Sequence, residues 1–290
     1  MKIENKIIPE GINATDDHPL KEFTFLTFGV IGTLIVIVVL ISFFTELLAP
    51  FLPFSWEQKV AAQYQQTLLL KNIGNKSKEF HRNHQQLTAY LQQLANKIAK
   101  SQSLPADMNV TVHYVDTEMI NAFATLGGHV VVFRGLLEKL PDENALAWVM
   151  AHEIAHIRNR DPIKSLGRGV IIGIVMSITG VAVGNEMVNN VLGQSGLLTV
   201  LKFSRDQEEE ADIEALYSLN KLYGHVGSAG AFFVQAKKLQ KANAAMTFEF
   251  FASHPLTENR ISKIEQVTGN HGWKIKGEIV PLPKQLLHWL

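Results

Sequence analysis

Cysteine is absent from the 290 residues of this chain. Disulfides and thiolate metal sites are therefore excluded, and any bound metal must be held by histidine, aspartate or glutamate. Basic blocks are also absent, and 27 lysines and arginines balance 27 aspartates and glutamates. A neutral chain of this kind has no electrostatic footprint for nucleic acid, which is not expected as a partner. The hydrophobic fraction of 47% is enough for one principal domain with appendages.

Charge is missing altogether from residues 23–45, FTFLTFGVIGTLIVIVVLISFFT. As a helix with a rise of ~1.5 Å per residue, this run spans a hydrocarbon core of ~30 Å. It predicts a transmembrane anchor. A cleaved signal peptide fits less well, since the run is too long and no small-x-small site follows it. Lys2, Lys6 and Lys21 precede the run, against Lys59 alone at the same distance after it, so the positive-inside rule predicts a cytoplasmic amino terminus.

The rest of the chain mixes helical and strand-like patterns. Residues 56–101 read as one or two amphipathic helices with a break near residues 72–77. Residues 108–116 and 129–133 read as strands, and most of the chain from there to Val267 has helical spacing. We expect an α+β, mainly helical domain with a small β-sheet, preceded by one transmembrane helix. The expected division is a cytoplasmic segment 1–22, an anchor 23–49, a helical stalk or first layer 50–105, the main domain 106–268 and a tail 269–290.

The stretch VMAHEIAHIRNRD, from Val149, places three titratable groups inside an apolar helical pattern. At 3.6 residues per turn, His152 and His156 lie on one face, and both imidazoles can reach a single ion. Glu153 is offset by about 100° and can reach a water on that ion without binding it. Two surface histidines are the alternative, but the apolar neighbours would leave three polar groups without partners, which is costly. This HExxH pattern predicts a zinc site.

A catalytic zinc takes three protein ligands and leaves a fourth position to water, so one ligand must come from elsewhere. The segment KFSRDQEEEADIEAL, from Lys202, is the candidate, because Glu208 and Asp212 stand at i and i+4 on one helical face. One can bind the metal while the other orients a ligating histidine. Glu209 and Glu210 fit a solvated acidic face, but spacing alone does not choose among the three glutamates.

Four motifs together resemble peptidase family M48, with its HtpX, Ste-type CAAX, Oma-type and BepA-like branches. They are HEIAH followed by Arg160 and Asp161, SRDQEEEAD from Ser204, HPLTENR from His254, and NAFATLGGHVVVFRGLL from Asn121. The likeness covers about residues 107–267 and implies a gluzincin-type metallopeptidase domain with one Zn²⁺ per chain. The family often has proline before the glycine pair, where this chain has Leu126. This departure concerns the geometry of that turn and not the metal site.

The resemblance also implies roles for individual residues. Glu208 falls on the first glutamate of the family's ExEAD string and would be the third zinc ligand beside the two histidines. Asp212 ends that string and would support a ligand from behind. His254 begins the family's HPxxxxR segment and would lie near the metal and steady the oxyanion, while Arg260 would anchor the segment. From the residues alone, His254 is more simply a turn histidine before Pro255.

The implied reaction is hydrolysis of a peptide bond by a zinc-activated water, with Glu153 as general base. Expected partners are unfolded or membrane-associated polypeptides and, through residues 23–45, the lipid bilayer. By family analogy the setting would be quality control of envelope or membrane proteins, at the periplasmic side of a bacterial inner membrane. The alternative is a catalytically silent, zinc-bound chaperone-like adaptor, against which Glu153 argues because structural zinc needs no adjacent base. Sequence-independent hydrogen bonds to a substrate strand would come from one backbone segment: His129, Val130, Val131, Val132 and Phe133.

A second apolar stretch, Gly169–Gly184, has only 16 residues, short of a spanning helix. Since His156 and Glu208 must bind one ion, the chain between them crosses a bilayer either twice or not at all. Two crossings, as in HtpX-type relatives, would need Met187–Leu201, which contains two asparagines and a glutamine. We therefore predict a buried or lid-like helix over the site, with contact to the membrane surface as a further option.

Overall fold

Helices and one three-stranded sheet make up the described part of the fold. A computed structural model of the chain describes residues 19–69, 78–167, 203–229, 250, 253–255, 257–284 and 286. The elements are α1 (Pro19–Leu48), α2 (Phe54–Leu69), α3 (Lys78–Ser101), β1 (Thr111–Val115), β2 (Ala122–Thr125), β3 (His129–Phe133), α4 (Arg134–Leu137), α5 (Glu143–Arg158), α6 (Arg205–Tyr223) and α7 (Glu258–Asn270). Residues 161–167, directly after α5, are also helical. The predicted α+β, mainly helical class is confirmed.

The sheet has the strand order β1-β3-β2. β1 pairs parallel to β3, with Thr111 opposite His129, and β2 pairs antiparallel to β3, with Ala122 opposite Val132. The sequence predicted β1 and β3 but missed β2, because all four of its residues are buried and no alternation marks them. β3 therefore has both backbone edges paired, and β2 forms the edge that packs on α5.

The core lies between the sheet and α3, α5 and α6. Helix α5 runs through its centre, and Trp148 is the largest of its fully buried side chains. Helix α3 contributes Leu87, Leu91 and Ile98 to the same core and packs against both α5 and β1. α3 is thus a layer of the domain itself. The domain boundaries at residues 50, 106 and 269 stay predictions.

The turn between β2 and β3 depends on two glycines with positive φ, Gly127 at 75° and Gly128 at 85°. A Cβ on Gly128 would lie 2.0 Å from the carbonyl oxygen of Asn109, and one on Gly127 would lie 2.9 Å from the Cβ of Ala61. Leu126, where the family often has proline, is buried in the same turn. The tight turn therefore forms without that proline.

Helix α1 contains the apolar run predicted from the sequence. Among the described residues it is the one helix long and apolar enough to cross a membrane, over Leu20–Ile41, and that stretch is not buried against the rest of the chain. The two apolar stretches within residues 169–201 lie outside the described residues. At the other end of the chain, the backbone N–H of Glu143 at the start of α5 donates to the carbonyl of Val280 (2.9 Å), which ties the tail to the helix that carries the HExxH motif.

Candidate metal centre

Helix α5 carries the HExxH motif and is buried along almost its whole length. Asp142 caps the helix by accepting a hydrogen bond from the backbone N–H of Ala145 (2.7 Å), so the helix begins one residue after Asp142. Every residue from Asn144 to Ile157 is buried. The Nε2 atoms of His152 and His156 lie 3.1 Å apart, which is the convergence expected from one helical turn.

Helix α6 separates the three glutamates that sequence spacing could not distinguish. Ser204 and Gln207 form a capping box that fixes the start of the helix. Glu208 points into the core, with its carboxylate oxygens 3.4 Å from His152 Nε2 and 3.6 Å from His156 Nε2. The other two lie away from the site: Glu210 is exposed, and Glu209 pairs with Lys263 at the surface (2.9 Å).

His254 joins the same cluster and is fully buried. Its Nδ1 lies 2.8 Å from Glu208 Oε1 and 3.2 Å from His152 Nε2, and its Nε2 lies 3.4 Å from Glu153 Oε1. One ligand atom from each of His152, His156, Glu208 and His254 lies within 4.8 Å of the others. His254 is therefore close enough to serve either as a metal ligand or as a donor to substrate, and it is not a simple turn histidine.

Buried acids stand behind both helical histidines. Asp161 Oδ2 lies 2.8 Å from His156 Nδ1, and its other oxygen accepts from Gln207 Nε2 (2.8 Å) and pairs with Lys164 (3.3 Å). Asp212 Oδ1 lies 3.0 Å from His152 Nδ1. A carboxylate on Nδ1 fixes the tautomer and leaves Nε2 free to bind an ion.

Arg260 connects two buried acids of the site, Asp212 and Glu208. Its guanidinium donates two parallel hydrogen bonds to Asp212 (2.7 and 2.8 Å) and lies 2.8 Å from Glu208 Oε2. One bidentate arginine thus sets the position of the proposed ligand Glu208 and of the acid that orients His152. It also donates to the carbonyl of Pro255 (3.0 Å), and its anchoring of the HPLTENR segment stays a prediction.

Glu153 lies beside the cluster, with its two oxygens in different environments. Oε2 accepts a hydrogen bond from the backbone N–H of Ala124 on β2 (2.8 Å), whereas Oε1 has no hydrogen bond from any described residue. Because the N–H of Ala124 points away from β3, the outer edge of β2 faces the cluster. The predicted substrate strand, His129–Phe133, is therefore wrong: β3 is paired on both sides and has no backbone groups left for a peptide.

The cluster has more buried negative than positive charge. Four carboxylates, of Glu153, Asp161, Glu208 and Asp212, face two cationic side chains, of Arg260 and Lys164. Since unbalanced charge is costly in a protein interior, a divalent cation suits this position.

The pKa values of three buried groups in the cluster reflect this excess of negative charge. Burial alone lowers the pKa of His152, but hydrogen bonds with Asp212 and Glu208 outweigh it and raise that pKa to about 10. Burial raises the pKa of Asp212, yet the guanidinium of Arg260 and the imidazole of His152 hold it below its usual value. The pKa of Glu208 is depressed well below its usual range, because the neighbouring imidazoles outweigh the effect of burial. In the metal-free protein, a proton on His152 thus supplies part of the missing positive charge.

The donor set fits zinc. Nitrogen and oxygen donors bind Zn²⁺ tetrahedrally at about 2.0–2.2 Å, so two donors on one ion lie about 3.3–3.6 Å apart. The three predicted ligands show spacings of 3.1, 3.4 and 3.6 Å. His254 Nε2 also makes no hydrogen bond to any described residue, although it is buried. His152, His156 and Glu208 thus have nearly the spacing that three donors on one zinc ion require.

Sequence reasoning assigned no role to three residues that support the site: Asp161, Gln207 and Ala124. Asp161 follows His156 by five residues and was visible as part of the RD pair, but nothing local shows that it turns back to the imidazole. Gln207 occupies the third position of a capping-box pattern, which was a readable signal for the helix start only. The contribution of Ala124 is a backbone N–H and leaves no trace in the side-chain pattern.

Comparison with known proteins places this geometry among metallopeptidases. Residues 85–268 match the model of peptidase family M48. The chain is 28% identical over 189 residues to the beta-barrel assembly-enhancing protease of Yersinia pestis, covering 61% of this chain and 38% of that protein. It is 27% identical over 182 residues to the mitochondrial metalloendopeptidase OMA1 of Schizosaccharomyces pombe, covering 62% of this chain and 52% of that protein. The aligned region thus spans about two fifths to one half of these relatives.

Zinc binding is expected to release a proton from His152. With a pKa of about 10, His152 is protonated in the metal-free protein at neutral pH, and its Nε2 must lose that proton to bind zinc. The apparent zinc affinity should therefore rise about tenfold per pH unit between pH 6.5 and 8. Calorimetry in buffers of different ionisation enthalpy measures the released proton directly.

Asp212→Asn is the matched variant, because it removes a hydrogen bond that raises the pKa of His152. It should release fewer protons at pH 7.5 than the wild type. Equal heats in all buffers for the wild-type protein would contradict the protonated state of His152.

Proposed function

The chain belongs to peptidase family M48, and from that premise we propose that it is a membrane-anchored, zinc-dependent endopeptidase. The observation that carries this proposal is the position of Glu153 beside the buried donor cluster. One of its oxygens is held by Ala124 N–H, and the other accepts no hydrogen bond from any described residue. A purely structural zinc site has no use for such a group. This argues against the alternative of a silent zinc-bound adaptor.

His152, His156 and Glu208 would hold the ion, with His254 beside them. The chemistry that zinc supplies in such a site is Lewis acidity towards the scissile carbonyl and towards the attacking water. Glu153 Oε1 would take the proton from that water and later deliver it to the leaving amine. The hydrogen bond from Ala124 keeps the carboxylate aimed at the cluster during both transfers.

His254 is proposed to steady the oxyanion that develops on the scissile carbonyl. Its buried Nε2 faces Glu153 Oε1 at 3.4 Å, on the side where substrate chemistry would occur. Asp212 and Arg260 would act through other residues, by holding His152 and Glu208 in place. These roles concern geometry and do not require either side chain to touch substrate.

A substrate backbone is proposed to add as a strand to the outer edge of β2. The outward N–H of Ala124 marks that edge, and a period of two places the backbone groups of Ala122 on the same side. Backbone pairing of this kind selects extended, unfolded peptide and little side-chain identity. Two phenylalanine rings stack on the imidazoles of the cluster, Phe203 on His156 (centroids 3.9 Å apart) and Phe250 on His254 (4.7 Å).

The natural substrates are proposed to be unfolded or misassembled proteins of the envelope or membrane. Two observations support this: the apolar helix α1 would keep the site near a bilayer, and one relative is named a beta-barrel assembly-enhancing protease. The lysine bias around α1 supports a cytoplasmic amino terminus and a periplasmic catalytic domain on a bacterial inner membrane.

Glu153→Gln should abolish peptide hydrolysis while zinc content stays at one per chain. Loss of the general base costs about 10²–10⁴-fold in turnover, whereas the amide preserves the size of the side chain and its bond from Ala124. Turnover is measured on an unfolded model protein, with zinc content measured by elemental analysis. Glu210→Gln, on the exposed face of α6, is the control and should retain full activity. An unchanged rate in Glu153→Gln would rule out Glu153 as the general base, whereas a zinc-loaded wild-type protein that cleaves no peptide would favour the adaptor.

Strand addition predicts an alternating response to substrate N-methylation. Each methyl group that removes a backbone N–H facing β2 should lower kcat/KM about tenfold, the equivalent of one lost hydrogen bond. Methylation of the residue in between should have a much smaller effect, because its N–H points away from the protein. The same fall at every position, or none at all, would argue against pairing with this edge.

The proposed orientation predicts where a carboxyl-terminal tag is accessible. Protease added to spheroplasts should remove the tag, and protease added to inverted membrane vesicles should leave it intact, because the domain would face the periplasm. A cytoplasmic marker protein controls for leakage. The opposite digestion pattern would place the catalytic domain in the cytoplasm.

A further inference from the structure

The segment that follows the apolar helix is part of the domain and is not a free linker. α1 ends at Leu48, and by Phe54 the chain is already buried in the core. Glu57 and Ala61, one and two turns further along α2, are buried as well. A charged residue in this position requires a specific partner, because a buried carboxylate is costly alone.

The partner of Glu57 is Arg160, in the turn directly after the HExxH helix. Arg160 Nε donates to Glu57 Oε1 (2.5 Å), and its Nη1 donates to the carbonyl of Leu52 (3.0 Å). The guanidinium also lies 5.4 Å from the centre of the Phe54 ring. Three contacts from residues 52–57 thus converge on one side chain that is far away in sequence.

Arg160 has a backbone conformation that residues with a Cβ rarely adopt, with φ at 60°. Arg160 lies two residues after the end of α5, and the next residue, Asp161, lies against the helix beside His156. Asp161 then reaches Nδ1 of His156 at 2.8 Å. The contacts that hold Arg160 therefore also hold the acid that orients a proposed zinc ligand.

Glu57 reaches a second turn of the site as well. Its Oε2 accepts a hydrogen bond from the backbone N–H of Gly127 (3.3 Å), between β2 and β3. β2 is the strand whose Ala124 N–H holds Glu153. A single carboxylate thus connects the turn behind His156 with the turn beside the strand that positions the general base.

We propose that Glu57 is a positioning residue for the zinc site: through Arg160 and Asp161 it fixes the imidazole of His156. The inference rests on the proposed function in that it concerns the same site. It adds that the membrane-proximal segment supports the metal centre, although it contributes no ligand. A buried ion pair by itself would not justify this, since such pairs often add little to stability. The inference rests instead on the strained turn at Arg160, which lies between the Glu57–Arg160 pair and the proposed ligand His156.

The test uses the full-length chain in detergent micelles, with zinc loss to an excess of chelator and the visible spectrum of Co²⁺-loaded protein as readouts. Glu57→Gln should lose zinc about ten times faster than the wild type, the lower end of the effect of direct outer partners of ligands. Its Co²⁺ spectrum should shift in the same direction as that of Asp161→Asn. Glu138→Gln, which breaks a surface ion pair with Arg134, is the control and should change neither readout.

Position 160 provides the second variant pair. Arg160→Ala removes the guanidinium but keeps the strained Cβ and should lose zinc as fast as Glu57→Gln or faster. Arg160→Gly accepts the left-handed turn without strain and should retain zinc better than Arg160→Ala. In the glycine background, Glu57→Gln should cause no further loss, because its route to His156 is already interrupted.

The inference would be overturned if Glu57→Gln kept wild-type zinc retention and an unchanged Co²⁺ spectrum. A lower unfolding temperature alone would leave Glu57 a structural residue. Equal zinc loss in Arg160→Ala and Arg160→Gly would also overturn it, since the turn would then not matter. Neither readout requires peptide hydrolysis. A wild-type protein that binds zinc but cleaves no peptide would therefore refute the proposed function and leave this inference to be judged on metal retention alone.

Discussion

Unbalanced negative charge in an apolar interior is the constraint on which this domain depends. Four carboxylates converge in the core against two cationic side chains, and the imidazoles between them face one another at hydrogen-bond distance. A protein interior does not tolerate such an arrangement without a compensating cation. The packing of α5 against α6, which brings the HExxH motif to Glu208, is therefore linked to metal binding, and folding and metal occupancy should be coupled.

The supports of the site are distributed over separate elements. His156 is oriented by Asp161 from the turn after α5, and His152 by Asp212 from α6, which Arg260 of α7 holds in turn. Glu153 is held by a backbone N–H of β2. No single element contains a complete set of ligand and support, so the geometry exists only in the assembled domain. The contact of Glu57 with Arg160 extends this dependence to the segment next to the apolar helix.

Local patterns predicted much of this arrangement, and their failures have identifiable causes. The helix around His152 and His156 and the strands β1 and β3 were predicted, because they have regular periodicity. Glu208 was singled out only by resemblance to a family, since Glu209 and Glu210 have equal local claims. β2 was missed because AFAT is buried on both faces and shows no alternation. Without β2, nothing in the sequence showed that β3 is paired on both sides, and His129–Phe133 was predicted to bind the substrate strand.

The sequence by itself determined the elements that carry the chemistry: two imidazoles one turn apart, a glutamate beside them, a restriction to nitrogen and oxygen ligands, and an apolar helix long enough for a bilayer. These properties follow from the helical period and from composition, which are local. Only the tertiary structure decided that Glu208 points inward, that β2 is the outer strand of the described sheet beside the cluster, and that Glu57 meets Arg160 across 103 positions of sequence. Such contacts depend on how elements pack, and the residues at either end carry no local sign of their partner.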